Sequence, residues 1–166
     1  MRRFSMVNRP GSRGFRRDWQ KHHLVPRQLL RVRSLAVMLS SVAPRAVWFD
    51  DFNANGILLP ATEKAAMNNR LPLHRGPHRI YNELVLERVG AVEMEWSQAR
   101  LRNERKARSA ALSRIRLVQR GLARRLKGEG KSPMVLNRRD PIGHGVDFAH
   151  LDAMAEALWG ATGGNG

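Results

Sequence analysis

Six histidines occur in the 166-residue chain, and four of them fall into two clusters, His22-His23 and His74-Arg75-Gly76-Pro77-His78. Adjacent residues of extended backbone point to opposite sides, so one histidine of a pair can bind a metal while the other addresses a different atom, such as an attacking water. Two histidines four apart, one in a loop and one at the start of a helix, can converge on a single cation. Three neutral imidazoles leave a fourth position open, as a catalytic metal site requires. The alternative for either cluster is an ordinary surface or core role. What favours chemistry is the segment Asn55-Gly56-Ile57-Leu58-Leu59-Pro60 between the clusters, and Tyr81-Asn82 after the second. With His78 on a helix, Tyr81 and Asn82 are its i+3 and i+4 neighbours and share its face. His144 and His150 stand outside the clusters and are assigned to structure or surface. For the adjacent acids Asp50 and Asp51, turn and capping roles outweigh a role as metal or base pair. The chain has no cysteine, which excludes a disulfide scaffold, a thiol nucleophile and Cys-ligated zinc or iron–sulfur sites.

The charge is +16 and is not evenly spread. Residues 1–33 carry ten basic residues and one acid, and residues 97–127 carry eleven and one, around a nearly neutral middle. Two such blocks bind a polyanion through counterion release without reading sequence, which points to nucleic acid as partner or substrate. The N-terminus runs from Arg into Pro and Gly with no apolar core, so it does not read as a Sec signal peptide, and no apolar run approaches the ~20 residues of a membrane span. The chain reads as soluble, acting in the cytoplasm or delivered into a target cell without a Sec signal.

The elements that must position these residues follow from periodicity and breakers. Residues 1–17 lack periodicity and read as a mobile basic arm. The run from Pro26 to Pro44 predicts a helix, and Ile57 to Leu59 a short strand after turn chemistry at Asn53 to Gly56. Thr62 suits the N-cap of a short helix to about Asn69. Residues 71–77 read as a loop, with Pro77 in the first turn of a helix to about Val89. Residues 95–127 predict one long amphipathic helix, its stripe formed by Leu101, Arg108, Leu112, Ile115, Val118, Leu122 and Leu126 and its outer face strongly basic. Gly128, Gly130 and Pro133 break it. Met134 to Leu136 suggests a short strand, Phe148 to Trp159 a last helix, and residues 160–166 a flexible tail. The four tryptophans, Trp19, Trp48, Trp96 and Trp159, read as core anchors rather than base-stacking platforms.

The runs KHHLVP, NGILLP and LHRGPHRIYN, in this order, resemble the AHH branch of the HNH/endonuclease VII (His-Me finger) nucleases, predicted toxin nucleases of bacterial polymorphic toxin systems. The resemblance covers about residues 19–89. It implies a β-hairpin followed by an α-helix around one divalent metal, with His22 as a metal ligand, His23 as general base, Asn55 orienting that base, His78 as distal ligand and His74 as third. Lys21 stands where the family's name has alanine, and the 32 residues from His23 to Asn55 imply an inserted helix. Imidazole ligands suit Zn²⁺ or Ni²⁺, whereas the family resemblance admits Mg²⁺. Around such a site Arg75 and Arg79 read either as phosphate clamps or as solvated arginines. Tyr81, with its hydroxyl near His22 or substrate, and Asn82 read as substrate neighbours, core packing being the other reading of Tyr81.

The expected fold is therefore α+β and mainly helical: a β-hairpin-plus-helix finger over residues 18–94, then a helical extension over 95–159 with a long basic helix and a C-terminal helix. The expected activity is metal-dependent endonucleolytic hydrolysis of nucleic acid, DNA in preference to RNA, with little sequence specificity because no base-reading module is present. A toxin role, by analogy with the family, would bring an acidic immunity protein as partner. The rival reading is a non-catalytic basic nucleic-acid-binding protein.

Overall fold

The structure, a computed structural model, describes residues 1–42, 47–129, 134–136 and 140–141, with residues 47 and 48 described by their backbone alone. The expected helix over 148–159, the tail, His144, His150 and Trp159 lie outside the described residues.

Strand β1 (Trp19–His23) pairs antiparallel with β2 (Gly56–Pro60). The sequence Trp-Gln-Lys-His-His is polar and has little strand character of its own, so the apolar partner Ile57-Leu58-Leu59 supplies the buried side of the hairpin. His22 lies opposite Ile57 and His23 opposite Gly56. Gly56 is required by close approach: a Cβ there would run into the Phe52 ring.

Between the strands the chain makes a 3₁₀ turn at Arg27–Arg31 and helices α1 (Arg33–Val42), α2 (Val47–Asp50) and α3 (Phe52–Asn55). The helix expected from Pro26 thus begins in earnest only at Arg33. The expected turn at Asn53 to Gly56 is the end of α3, because the Asp51 side chain accepts from the Asn53 N–H and caps a short helix there. After β2, Thr62 caps α4 (Glu63–Asn69) as its sequence suggests, accepting from the Ala65 N–H at 3.3 Å.

Helix α5 runs from Arg79 to Ala99 and α6 from Glu104 to Leu126. The single helix expected over 95–127 is therefore two elements. The break is set by Asn103, whose side chain accepts from the Lys106 N–H and starts α6 afresh. Leu101, placed on the apolar stripe by spacing, sits in the intervening turn at 83% exposure. The buried stripe of α6 is Ala107, Ala111, Ile115, Gln119, Leu122 and Leu126. Small residues near the start of this stripe let α6 pack closely on α5, and α1 packs on both. Their shared core includes Leu35, Met38, Leu39, Val85, Val89, Trp96, Ile115 and Leu122. Trp19, by contrast, is only partly buried, beneath the Arg16 guanidinium.

The arm expected over residues 1–17 is docked at defined points. Phe4 and Val7 are buried, the Phe52 N–H donates to the Arg2 carbonyl at 2.7 Å, and the Asn8 side chain donates to the Arg16 and Trp19 carbonyls. Met134 and Leu136 are buried but lie in no strand, and Asp140 accepts from the Leu73 N–H at 2.9 Å. Among the described residues, no helix is long and apolar enough to cross a membrane.

Candidate metal centre and adjacent histidine

Strand alternation sends the two histidines of β1 to opposite faces. His22 is buried at 5% exposure, and His23 is partly buried. The second cluster is brought to His22 by two features of local backbone. The His74 N–H donates to the Pro60 carbonyl at 2.7 Å, extending the end of β2, and Gly76, at φ +81°, lets the chain turn back so that His78 becomes the N-cap of α5.

The rings of His22, His74 and His78 meet, with centroids 4.9 Å (His22–His74), 5.4 Å (His22–His78) and 4.6 Å (His74–His78) apart. One nitrogen from each lies within 4.8 Å of the others, close enough to share one cation. On His74 and His78 one ring nitrogen is already engaged. His74 Nδ1 faces the Gln20 Oε1 at 3.0 Å and His78 Nδ1 faces the Leu136 carbonyl at 3.2 Å. Both partners accept, so both Nδ1 atoms carry the proton and both Nε2 lone pairs are free, the tautomer a metal-bound imidazole adopts. His22 Nε2 is buried with no hydrogen-bond partner. An orphaned buried nitrogen costs about 1–3 kcal/mol, and a cation among the three rings removes that cost.

The electrostatics agree. Burial first, then the neighbouring imidazoles, hold His22 down to about 2, and burial with His78 lowers His74 to about 4. Burial also lowers His78, against the raising effect of the Leu136 carbonyl. All three are neutral at pH 7 and available as ligands. The unfolded chain takes up these protons near pH 6.5, and the folded chain resists them until much lower pH. Stability of the metal-free protein is thus fully present above pH 6.5 and falls as pH drops from 6.5 toward 4. His22 contributes up to about 1.4 kcal/mol per pH unit and the less buried His74 less. Thermal melts between pH 7.5 and 4.5 are expected to show this fall; a flat profile would contradict the buried neutral cluster.

His23 is held differently. The Phe4 ring stacks on it at 3.8 Å and 5° from parallel, and Phe4 in turn meets Phe52 edge-on at 5.1 Å. Its ring hydrogen-bonds the Phe49 backbone carbonyl, which fixes one nitrogen as the N–H and leaves a lone pair on the other. Burial and Arg27 lower its pKa, while Phe49 and Asp50 oppose them.

Asn55, expected to orient His23, does other work. Fully buried, its Oδ1 accepts from the Val25 N–H at 2.8 Å and from Gln119 Nε2 at 3.1 Å, and its Nδ2 donates to the Val25 carbonyl at 3.0 Å. Its own carbonyl accepts from the Leu24 N–H at 2.9 Å. Asn55 clamps the chain leaving β1 to the start of β2 and to α6, so it reaches His23 only through the backbone. Asn55→Ala is expected to strand buried Val25 and Gln119 groups and cost about 3–5 kcal/mol, read as a drop in the denaturant midpoint. A change below about 1 kcal/mol would sink this role.

Tyr81 meets the core-packing reading given for it rather than a place beside substrate. It is buried against His22, with centroids 4.8 Å apart, but its hydroxyl donates to the Leu24 carbonyl at 2.6 Å, and burial raises its pKa. It supports both His22 and the end of β1. Asn82 is partly buried one turn after His78, its N–H donating to the His78 carbonyl at 2.9 Å. Arg75 and Arg79 flank His78 in sequence, are exposed, and make no ion pair among the described residues.

Sequence reasoning missed Phe4, the Phe49 and Leu136 carbonyls, Gln20 and Gln119. Two carried a signal: Gln20 is two before His22 on the strand, hence on its side, and Gln119 is a polar residue at a stripe position of α6. Backbone carbonyls and a stacking Phe4 in an aperiodic segment carry none.

The hairpin and the helix N-terminus thus bring together three histidines that could hold one metal ion, with His23 beside them on the opposite face of β1. The sequence matches AHH, a nuclease family of the HNH/ENDO VII superfamily with conserved AHH, over residues 4–122, and the chain belongs to that family. Its substrate is accordingly nucleic acid. Lys21, in the place of the alanine of the family's name, is exposed on β1 opposite Leu58, with its side chain away from the cluster. No curated protein and no solved structure matches the chain.

Proposed function

We propose that this chain is a metal-dependent endonuclease that hydrolyses phosphodiester bonds of nucleic acid, DNA in preference to RNA, with His22, His74 and His78 as ligands of one divalent cation and His23 as general base. The observation that carries this reading is the orphaned, buried Nε2 of His22 facing two histidines whose Nδ1 protons are already committed.

His23, neutral at pH 7 and held through Phe49 and Phe4, takes a proton on its free ring nitrogen from a water as the water oxygen bonds to phosphorus. The P–O bond to the leaving oxygen breaks, and that oxygen is protonated from solvent or by an acid of the site. A cation on the three imidazoles supplies charge neutralisation at the phosphate and the leaving oxygen, worth several kcal/mol. Arg75 and Arg79, exposed and without an ion pair among the described residues, are available to phosphate oxygens. The excess of basic over acidic residues suits a toxin effector whose immunity protein is acidic.

The test is plasmid nicking and RNA degradation by chelator-stripped protein with Mg²⁺, Mn²⁺, Ni²⁺ or Zn²⁺. Cleavage by the wild type alone, dependent on an added metal and lost in His23→Ala, supports the reading and names the substrate and the ion. Binding without cleavage under every metal leaves a basic nucleic-acid binder.

A further inference from the structure

Two cations of α6 have acidic partners, and the others have none among the described residues. On the side toward α5, Arg114 pairs with Glu95, and at the helix end Arg124 pairs with Glu129 at 3.4 Å. On the side toward the hairpin, Arg116, Arg120 and Lys127 are exposed and make no ion pair among the described residues. These three line one wall of a cleft of about 370 Å³ whose other wall is uncharged and formed by Leu24, Asn53 and Gly56. A second cleft of about 400 Å³, between α5 and α6, is different: it holds Arg88, Arg124 and Arg125 together with the acid Glu129.

The hairpin-side cleft is built, not incidental. Gln119 also lines it, and its buried amide donates to Asn55 Oδ1, fixing α6 against the end of the hairpin. Gly56, the cross-strand partner of His23, and Leu24, the residue after His23, form its far wall. The cleft therefore reaches the residue that follows His23 and the residue that faces it across the hairpin. Positions 116, 120 and 127 recur at intervals of four and seven, so they form one ridge along α6. At 1.5 Å per residue it rises about 16 Å, the length of roughly five phosphates along one strand at 3.4 Å each.

We propose that this cleft is a backbone-binding groove for the nucleic-acid strand that runs to His23, with Arg116, Arg120 and Lys127 contacting phosphates spaced along it. It deepens the nuclease reading by naming where on the basic helix the substrate lies, and it leaves the α5-side cations out of the interface. Unpaired cations opposite a neutral wall suit a polyanion that threads between them, bound through its phosphates.

The experiment uses the full chain carrying His23→Ala, so that binding is read whether or not the wild type cleaves. Short fluorescent duplex DNA and single-stranded RNA are titrated between about 50 and 200 mM salt. Arg116→Ala/Arg120→Ala/Lys127→Ala is compared with Arg88→Ala/Arg124→Ala/Arg125→Ala, which removes the same three charges from the other cleft. All six are surface positions, and matching thermal melts establish that both triples fold. The groove predicts at least about a tenfold loss of affinity for the first triple only, with a salt slope shallower by about two to three, close to one for each phosphate that a side chain no longer neutralises. Equal losses in both triples mean diffuse charge attraction and overturn the groove. So does displacement of the strand by polyglutamate as readily as by unlabelled nucleic acid, which assigns the cleft to an acidic protein. Cleavage without any selective binding defect refutes the groove alone; a selective defect in a protein that never cleaves refutes the nuclease mechanism alone.

Discussion

His23→Ala is expected to lower the cleavage rate by about 10²–10⁴-fold while leaving nucleic-acid affinity within a factor of a few. That range is the ordinary contribution of a positioned general base. Affinity survives because the cations that attract phosphate lie on other elements. The fold also survives, since His23 is only partly buried and Phe4 keeps its edge-on packing against Phe52. In a host without an inhibitor, the wild type is expected to be poorly tolerated and His23→Ala tolerated normally; equal tolerance of both would count against a toxin role. A variant that still cleaved at more than a tenth of the wild-type rate would remove His23 from the chemistry.

His22→Ala is expected to be as damaging by a different route. Without the buried ligand, His74 and His78 keep their Nδ1 partners but offer only two nitrogens, and the cation is held too weakly to neutralise charge at phosphorus. A loss of about 4 kcal/mol of transition-state stabilisation corresponds to about 10³-fold in rate. Metal should also raise the melting temperature of the wild type, because it binds the folded chain and not the unfolded one, and that shift should vanish in His22→Ala. A metal-induced shift of undiminished size in the variant would place the ion elsewhere. The two variants separate the roles: His23→Ala retains the metal-induced shift and loses catalysis, whereas His22→Ala loses both.

The convergence of His22, His74 and His78 was legible because they are chemistry-bearing residues in two close clusters. Gly76 marked the loop before α5, Pro77 lies ahead of that helix's cap rather than in its first turn as expected, and Thr62 announced α4. The strand β1 was less so. Its residues are polar, and what makes it extended is pairing with Ile57 to Leu59, a segment more than thirty residues away in sequence. Asn55 illustrates the same limit at the site: its residue type fits an orienting role, but its environment, a fully buried pocket beside Val25 and Gln119, sets it to clamping the hairpin. The task of holding the His23 ring falls to the Phe49 carbonyl, which every residue possesses and no side-chain pattern reveals. The division of α5 from α6 was decided by one cap, Asn103, against a stretch whose residues all tolerate helix.

The most direct measurement is single-turnover cleavage of labelled nucleic acid by chelator-stripped protein as metal is added back, with bound metal determined in parallel for the wild type and for His22→Ala, His74→Ala and His78→Ala. Activity that rises with occupancy, saturates at one ion per chain and disappears with that ion in each of the three variants is the predicted result. Full activity in stripped protein, or one ion still bound and active after loss of His22, would contradict the three-histidine centre.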